Sequence, residues 1–140
     1  MVIFIDHFSK YVGFIRLKIN MMFLMFFSIF KLLVVNQLNT KIKTFYSDNG
    51  GEYIKLRSFF QTHRIIHLTI PPYTLEHNGI FERQHCHLVE TAHCLLHHAS
   101  LLISFWSYAL ETTTYLINRM STLGLNMKSP FESLFHSSPL

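Results

Sequence analysis

Apolar positions recur along this chain with two different periods, and the change of period divides it. Val2-Ile-Phe-Ile5 and Tyr11-Val-Gly-Phe-Ile-Arg-Leu17 are short β-branched and aromatic runs, and the polar residues 6–10 between them predict a hairpin over 2–18. Thirteen of the fifteen residues from Met21 to Val35 are apolar, and the length of that run predicts a helix over 20–38. Ile42 alternating with Lys41 and Lys43 predicts a strand over 41–46. Ser47-Asp-Asn-Gly-Gly51 has turn composition, followed by a helix over 52–63 and a strand over 65–68. Residues 69–78 carry Pro71-Pro72 and close on Asn78-Gly79, the composition of a loop. From Ile80 the period becomes helical. Phe81, Leu88, Ala92, Leu95 and Ala99 fall within about 40° of one line, predicting a helix over 80–99 with Glu82 in its first turn at the edge of the buried stripe. Helices over 103–119 and 129–136 complete the chain, the last with Pro130 at its first position. Strands first and helices crowding the second half make an α/β fold.

Composition narrows the class. A length of 140 residues fits one domain, 1–140, with a real core. Charged residues at 14% exclude a disordered or coiled-coil chain, and two cysteines exclude a disulfide scaffold. Cys86 and Cys94 lie in one predicted helix, about 12 Å apart and too far for a bridge, so they read as free thiols of a reducing compartment. Residues 1–46 carry six basic side chains and one acid, for +5, whereas the remainder sums to −1. A basic N-terminal third can face a polyanion. The apolar stretch 19–38 gives the alternative reading, a small membrane-associated protein, but Lys31 interrupts it and Arg16 and Lys18 close it upstream.

Two carboxylates stand where chemistry is expected. Asp48 follows a predicted strand, and strand ends in α/β sheets face the ligand crevice. Glu82 opens a predicted helix. Converging, they would offer hard oxygen donors to one Mg²⁺. On spacing alone a turn-forming Asp and a dipole-complementing Glu explain the same residues.

Further residues add a resemblance. Tyr46-Ser-Asp-Asn-Gly-Gly-Glu-Tyr53, Pro72-Tyr-Thr74 and Asn78-Gly-Ile-Phe-Glu-Arg83 resemble the integrase catalytic core of copia-type (Ty1/copia) LTR retrotransposons. So do Phe4-Ile-Asp-His-Phe-Ser-Lys-Tyr11 upstream and Phe105-Trp106, Thr114-Tyr-Leu-Ile-Asn-Arg119 and Lys128-Ser-Pro-Phe-Glu132 downstream, in the family's order. The resemblance implies a ribonuclease H-like fold, a mixed sheet here without its first strand, and an Asp, Asp, Glu triad binding two Mg²⁺ (or Mn²⁺) ions. It implies nucleic acid binding and DNA integration, with element ends and host DNA as partners, a possible homo-oligomer and a nuclear location. Asp48 matches the second Asp and Glu82 the Glu. The first Asp of the pattern would lie upstream of the hairpin, so the chain is expected to be N-terminally truncated and impaired in strand transfer; Asp6 belongs to the hairpin turn. Asn49, Gly50, Asn78, Arg83 and His85 are the expected nucleic-acid contacts. The sequence departs from the family at Cys86, where Arg is usual, and at Leu102 and Ser121, where Pro is usual.

Other groups have plainer readings. His85, Cys86, His87, His93, Cys94, His97 and His98 crowd one helix, and one straight helix rarely closes a zinc tetrahedron, so they are expected to be solvated or DNA-facing. Lys41 and Lys43 are expected on the outer face of a strand, and Trp106 with Phe105 in core or dimer packing.

Overall fold

The computed structural model describes residues 2–15, 23–47, 50–69 and 75–138, the side chains of Phe23, Glu52, Ile54, residues 75–78 and Ile80 excepted. Two compact units are present, one of residues 1–16 with 80–140, the other of residues 17–79.

In the first unit, β1 (Val2–Ile5) and β2 (Val12–Ile15) form the expected antiparallel hairpin, with Ile5 opposite Val12. The Asp6 carboxylate closes its turn, accepting from the backbone N–H and the hydroxyl of Ser9, both at 2.7 Å. Backbone bonds from Asp6 N to Tyr11 O and from Lys10 N to Asp6 O complete it. Three helices follow: α4 (Leu75–His98), α5 (Trp106–Arg119) and α6 (Pro130–Phe135). A single 3-10 turn at Ile103–Phe105 leads into α5, shortening the helix expected from 103. Leu88 packs with Val12 and Ile117, and Ile3 and Ile5 lie against that cluster. One turn further along α4, Ala92 and Leu96 meet Ala109 and Leu110, with Phe14 and Trp106 against them. The core is therefore the hairpin face covered by α4 and α5.

Asn118 ties α5 to β2 by a different means. Its side-chain oxygen accepts from Val12 N–H and its side-chain nitrogen donates to Val12 C=O, both at 2.8 Å. In an antiparallel pair alternate residues turn both backbone groups away from the partner strand. At Val12 the Asn118 amide takes the place of a further strand.

Arg119, next in α5, lays its guanidinium 3.6 Å from the Tyr115 ring centroid and 4.9 Å from that of Phe131 in α6. Ser129 caps α6, and Pro130 is its first residue as the sequence predicts. Its hydroxyl accepts from Glu132 N–H, and the Glu132 carboxylate accepts from Ser129 N–H at 2.8 Å. These bonds hold the Glu132 pKa below the usual carboxylate value of 4.5. A depressed folded-state pKa means stability that is present above the unfolded value and lost as pH falls through the folded one. The amide signals of Ser129 and Glu132, followed by NMR against pH, are expected to move together in an acid transition below that of an unstructured glutamate. Glu132→Gln is expected to abolish the transition; its persistence would show that another group drives it.

In the second unit, α1 (Phe23–Leu38), β3 (Thr44–Ser47), α2 (Gly51–Ile54), α3 (Arg57–Thr62) and β4 (Ile66–Thr69) make a strand–helices–strand crossover. β3 and β4 pair in parallel, Thr44 opposite Ile66 and Ser47 opposite Thr69. A parallel pair cannot be joined by a tight turn, and α2 and α3 supply the crossover. Phe27 of α1 lies at the middle of this unit. Its ring centroid is 4.9 Å from Phe45, 5.1 Å from Phe60 and 5.6 Å from Phe59, at nearly perpendicular planes. Lys31, the cation that interrupts the apolar run, stands 2.8 Å from His63 Nδ1. Met25, Ile29, Leu32 and Leu33 are exposed on α1.

Four sequence expectations need correction. The strand placed at 41–46 runs over 44–47, so Lys41 and Lys43 precede it and do not line its outer face. The helix expected over 52–63 is two short helices separated by a turn at Lys55 and the buried Leu56. The strand placed at 65–68 is shifted by one residue. The helix expected from Ile80 begins at Leu75, so Asn78-Gly79 lies inside it and is no break. An isolated helical glycine costs about 1 kcal/mol against alanine, too little to stop a 24-residue helix.

Candidate metal centre and nucleic-acid surface

Because α4 starts early, Glu82 is its eighth residue and not in its first turn. The fully buried stripe of α4 runs Leu88, Ala92, Leu96. Glu82 lies more than a turn before it and is exposed, not at the edge of a buried stripe. Phe81 is likewise exposed, and Leu96 replaces Ala99 in the stripe. Arg83 and His85 are exposed beside Glu82, and the His85 ring stacks on Phe81 at 6.4 Å. The stretch 81–85 thus offers a carboxylate, a guanidinium and an imidazole to solvent.

Asp48 and Asn49 lie outside the described residues, as does the Asn78 side chain. Their neighbours are placed. Ser47, the last residue of β3, is buried, and Gly50 is the N-cap residue of α2 with an extended ψ of 139°. The described residues on either side of positions 48–49 are therefore a strand end and a helix start. The Asp6 carboxylate is engaged by Ser9 in the hairpin turn, as that reading required. The Lys10 ammonium donates to His7 O at 2.6 Å.

Among the described residues no three His, Cys, Asp or Glu side chains stand together to hold a metal ion. Cys86 and Cys94 are free and exposed, and His87, His93, His97 and His98 are exposed with them. His93 also contacts Trp106, ring centroids 4.7 Å apart. Trp106 packs on the core as expected, whereas Phe105 is largely exposed.

Two residues of consequence escaped the sequence reading. Asn118 sits in a quoted motif, but nothing in its spacing pointed to β2. His67 was read only as part of a strand. Its Nε2 lies 2.8 Å from Ser47 Oγ, and burial pushes its pKa below the ordinary histidine value.

The comparisons with known proteins fit this frame. No protein-family model matches the chain. The Pol polyprotein of transposon RE1 of Arabidopsis thaliana is 49% identical over 138 residues, 99% of this chain and 9% of the relative. That of transposon RE2 of the same plant is 48% identical over 138 residues, 99% of this chain and 10% of the relative. The chain thus spans about a tenth of the length of the curated relatives it matches. Among solved structures, a simian T-cell lymphotropic virus intasome in complex with a PP2A regulatory subunit superposes with a TM-score of 0.70 at 23% identity, over 99% of this chain and 48% of that one. The HTLV-2 integrase catalytic core in complex with magnesium gives 0.68 at 16% identity, over 94% of this chain and 82% of that one.

The fold is that of the integrase catalytic core, ribonuclease H-like, an α/β architecture with small sheets and mostly helices. By sequence the chain belongs with the Pol polyproteins of copia-type retrotransposons and matches one segment of them. The membrane-anchored alternative is not favoured: no helix among the described residues is long and apolar enough to cross a bilayer.

Proposed function

We propose that this segment acts on DNA as a retrotransposon integrase core, with Asp48 and Glu82 as its divalent-metal ligands. The observation that supports the reading is the 49% identity to the RE1 polyprotein over 99% of this chain; Asp48 and Glu82 are assigned from the motif resemblance given above. The donor chemistry suits Mg²⁺ or Mn²⁺, since both side chains offer hard carboxylate oxygens and Glu82 is exposed enough for a hydrated ion to reach. When bound, such an ion supplies a Lewis acid for phosphoryl oxygens and for an attacking water or 3′-hydroxyl.

The chain's own residues then have distinct tasks. Asp48 and Glu82 would hold the ion. Arg83 pairs with a backbone phosphate, a contact that positions DNA without reading sequence. Asn49, Gly50, Asn78 and His85 border the bound strand. Asp6, whose carboxylate is engaged by Ser9 in the hairpin turn, is not assigned to the metal. Element ends and host DNA as substrates, a homo-oligomer and a nuclear location belong to the same proposal.

Mn²⁺ titration of the intact chain, followed by electron paramagnetic resonance, tests it. Asp48→Asn and Glu82→Gln are each expected to weaken binding by about tenfold or more, since each removes a charged oxygen ligand. Equal Mn²⁺ affinity in wild type and both variants would overturn the assignment. On duplex DNA, Arg83→Ala is expected to reduce the salt slope of log affinity by about one, read by fluorescence anisotropy.

A further inference from the structure

Nitrogen and sulfur ligands gather on the second half of α4, where Cys86, His93, Cys94, His97 and His98 are all exposed. Among the described residues no three His, Cys, Asp or Glu side chains come together to hold a metal ion. What the helix can offer is a pair. Residues four apart on a helix stand on one face with Cβ atoms about 5–6 Å apart, and two imidazoles at that spacing can grip one ion. His93 and His97 are the only histidines of α4 with this spacing. Neither belongs to the buried stripe of Leu88, Ala92 and Leu96. One member of the pair is already restrained. The His93 ring lies 4.7 Å from that of Trp106 between centroids, tilted by 51°. Trp106 in turn packs on the core cluster of Ala92, Leu96, Ala109 and Leu110. An imidazole held in this way loses less freedom on ligation than one loose in solvent.

We propose that His93 and His97 form a two-imidazole binding site for Zn²⁺ on the exposed side of α4. Zn²⁺ takes imidazole nitrogen readily, whereas Mg²⁺ and Mn²⁺ are suited to oxygen donors. The site therefore differs in chemistry from the carboxylate one proposed above and does not depend on it. Zinc is usually four-coordinate, so two protein ligands leave positions for water and make the ion exchangeable. Its removal is expected to leave the fold intact, because the core contacts of α4 are made by other side chains.

The experiment titrates Zn²⁺ into the intact ¹⁵N-labelled chain, with excess Mg²⁺ present and the thiols kept reduced. Calorimetry gives the affinity, and NMR follows the indole N–H of Trp106, the single tryptophan of the chain. The indole signal is expected to move along the same curve as the heat, since His93 lies against that ring. His93→Ala and His97→Ala are each expected to weaken Zn²⁺ binding by about tenfold or more, because each removes one of two protein ligands. Cys94→Ser and His98→Ala, which alter the neighbouring i, i+4 pair, are expected to change it by less than about twofold. A wild-type chain that takes up no Zn²⁺ would overturn the proposal. So would equal affinity in both histidine variants, or a loss as large in Cys94→Ser or His98→Ala, which would place the ion elsewhere on the helix. Heat without movement of the Trp106 signal would overturn the location in the same way. Should His93→Ala disturb the packing of Trp106, His97→Ala carries the decision.

Discussion

Phe27→Ala is expected to destabilise the unit of residues 17–79 by about 3–5 kcal/mol, the range for emptying a phenylalanine site in a packed core. Phe27 is 0% exposed and its ring touches four other phenylalanines, Phe30, Phe45, Phe59 and Phe60. Three of these contacts are edge-to-face, an arrangement worth about 0.5–1.5 kcal/mol per pair beyond area burial. Those rings belong to α1, β3 and α3, so the loss falls on the whole crossover. Urea unfolding followed by the amide NMR signals of Phe45 and Phe60 reads this unit. Phe27→Leu, which refills much of the space, is expected to recover more than half of the loss. A shift below 1 kcal/mol for alanine would mean that Phe27 is not at the centre of this core.

Asn118→Ala is expected to cost about 2–4 kcal/mol, as two hydrogen bonds are lost and the Val12 N–H and C=O are left buried without them. Asn118 and Val12 are 2% and 1% exposed, so water cannot readily replace the amide. Asn118→Leu, which keeps the branching but is larger and wholly apolar, is expected to be about as damaging, since it fills the site without making either hydrogen bond. Thermal unfolding is expected to shift by roughly 10 °C for a domain of this size. Hydrogen exchange at the Val12 amide should rise in both variants. Unchanged protection there would show that the side chain does not hold the strand.

What could be read from the sequence was local. The hairpin was legible because its turn chemistry and its two β-rich runs lie within sixteen residues. Pro130 and Ser129 marked the start of α6 for the same reason. The start of α4 was misplaced because Asn78-Gly79 is a strong turn signal in isolation and a tolerable interruption within a long helix. The break at Lys55-Leu56 carries no glycine or proline, so no local signal marks it in the sequence. Phe45 and Ser47 share one face of β3, and the alternation of Ile42 with its lysines drew the start of the strand three residues too early. The assignment of Asp48 and Glu82 rests on the motif resemblance alone; the spacing of two carboxylates identifies no metal. Asn118 and His67 could not be found, because each acts on a partner distant in sequence, 106 and 20 residues away.

The separation between Asn118 and Val12 bears on the order of events during synthesis. Residues 17–79 are contiguous and can close while the ribosome is still adding the second half. The hairpin emerges first yet must wait more than a hundred residues for the amide that covers its outer edge. During that interval β2 presents unpaired backbone groups to any neighbouring chain. A nascent chain arrested before Asn118 would therefore be the form most prone to edge-to-edge association, and the one that calls for a chaperone.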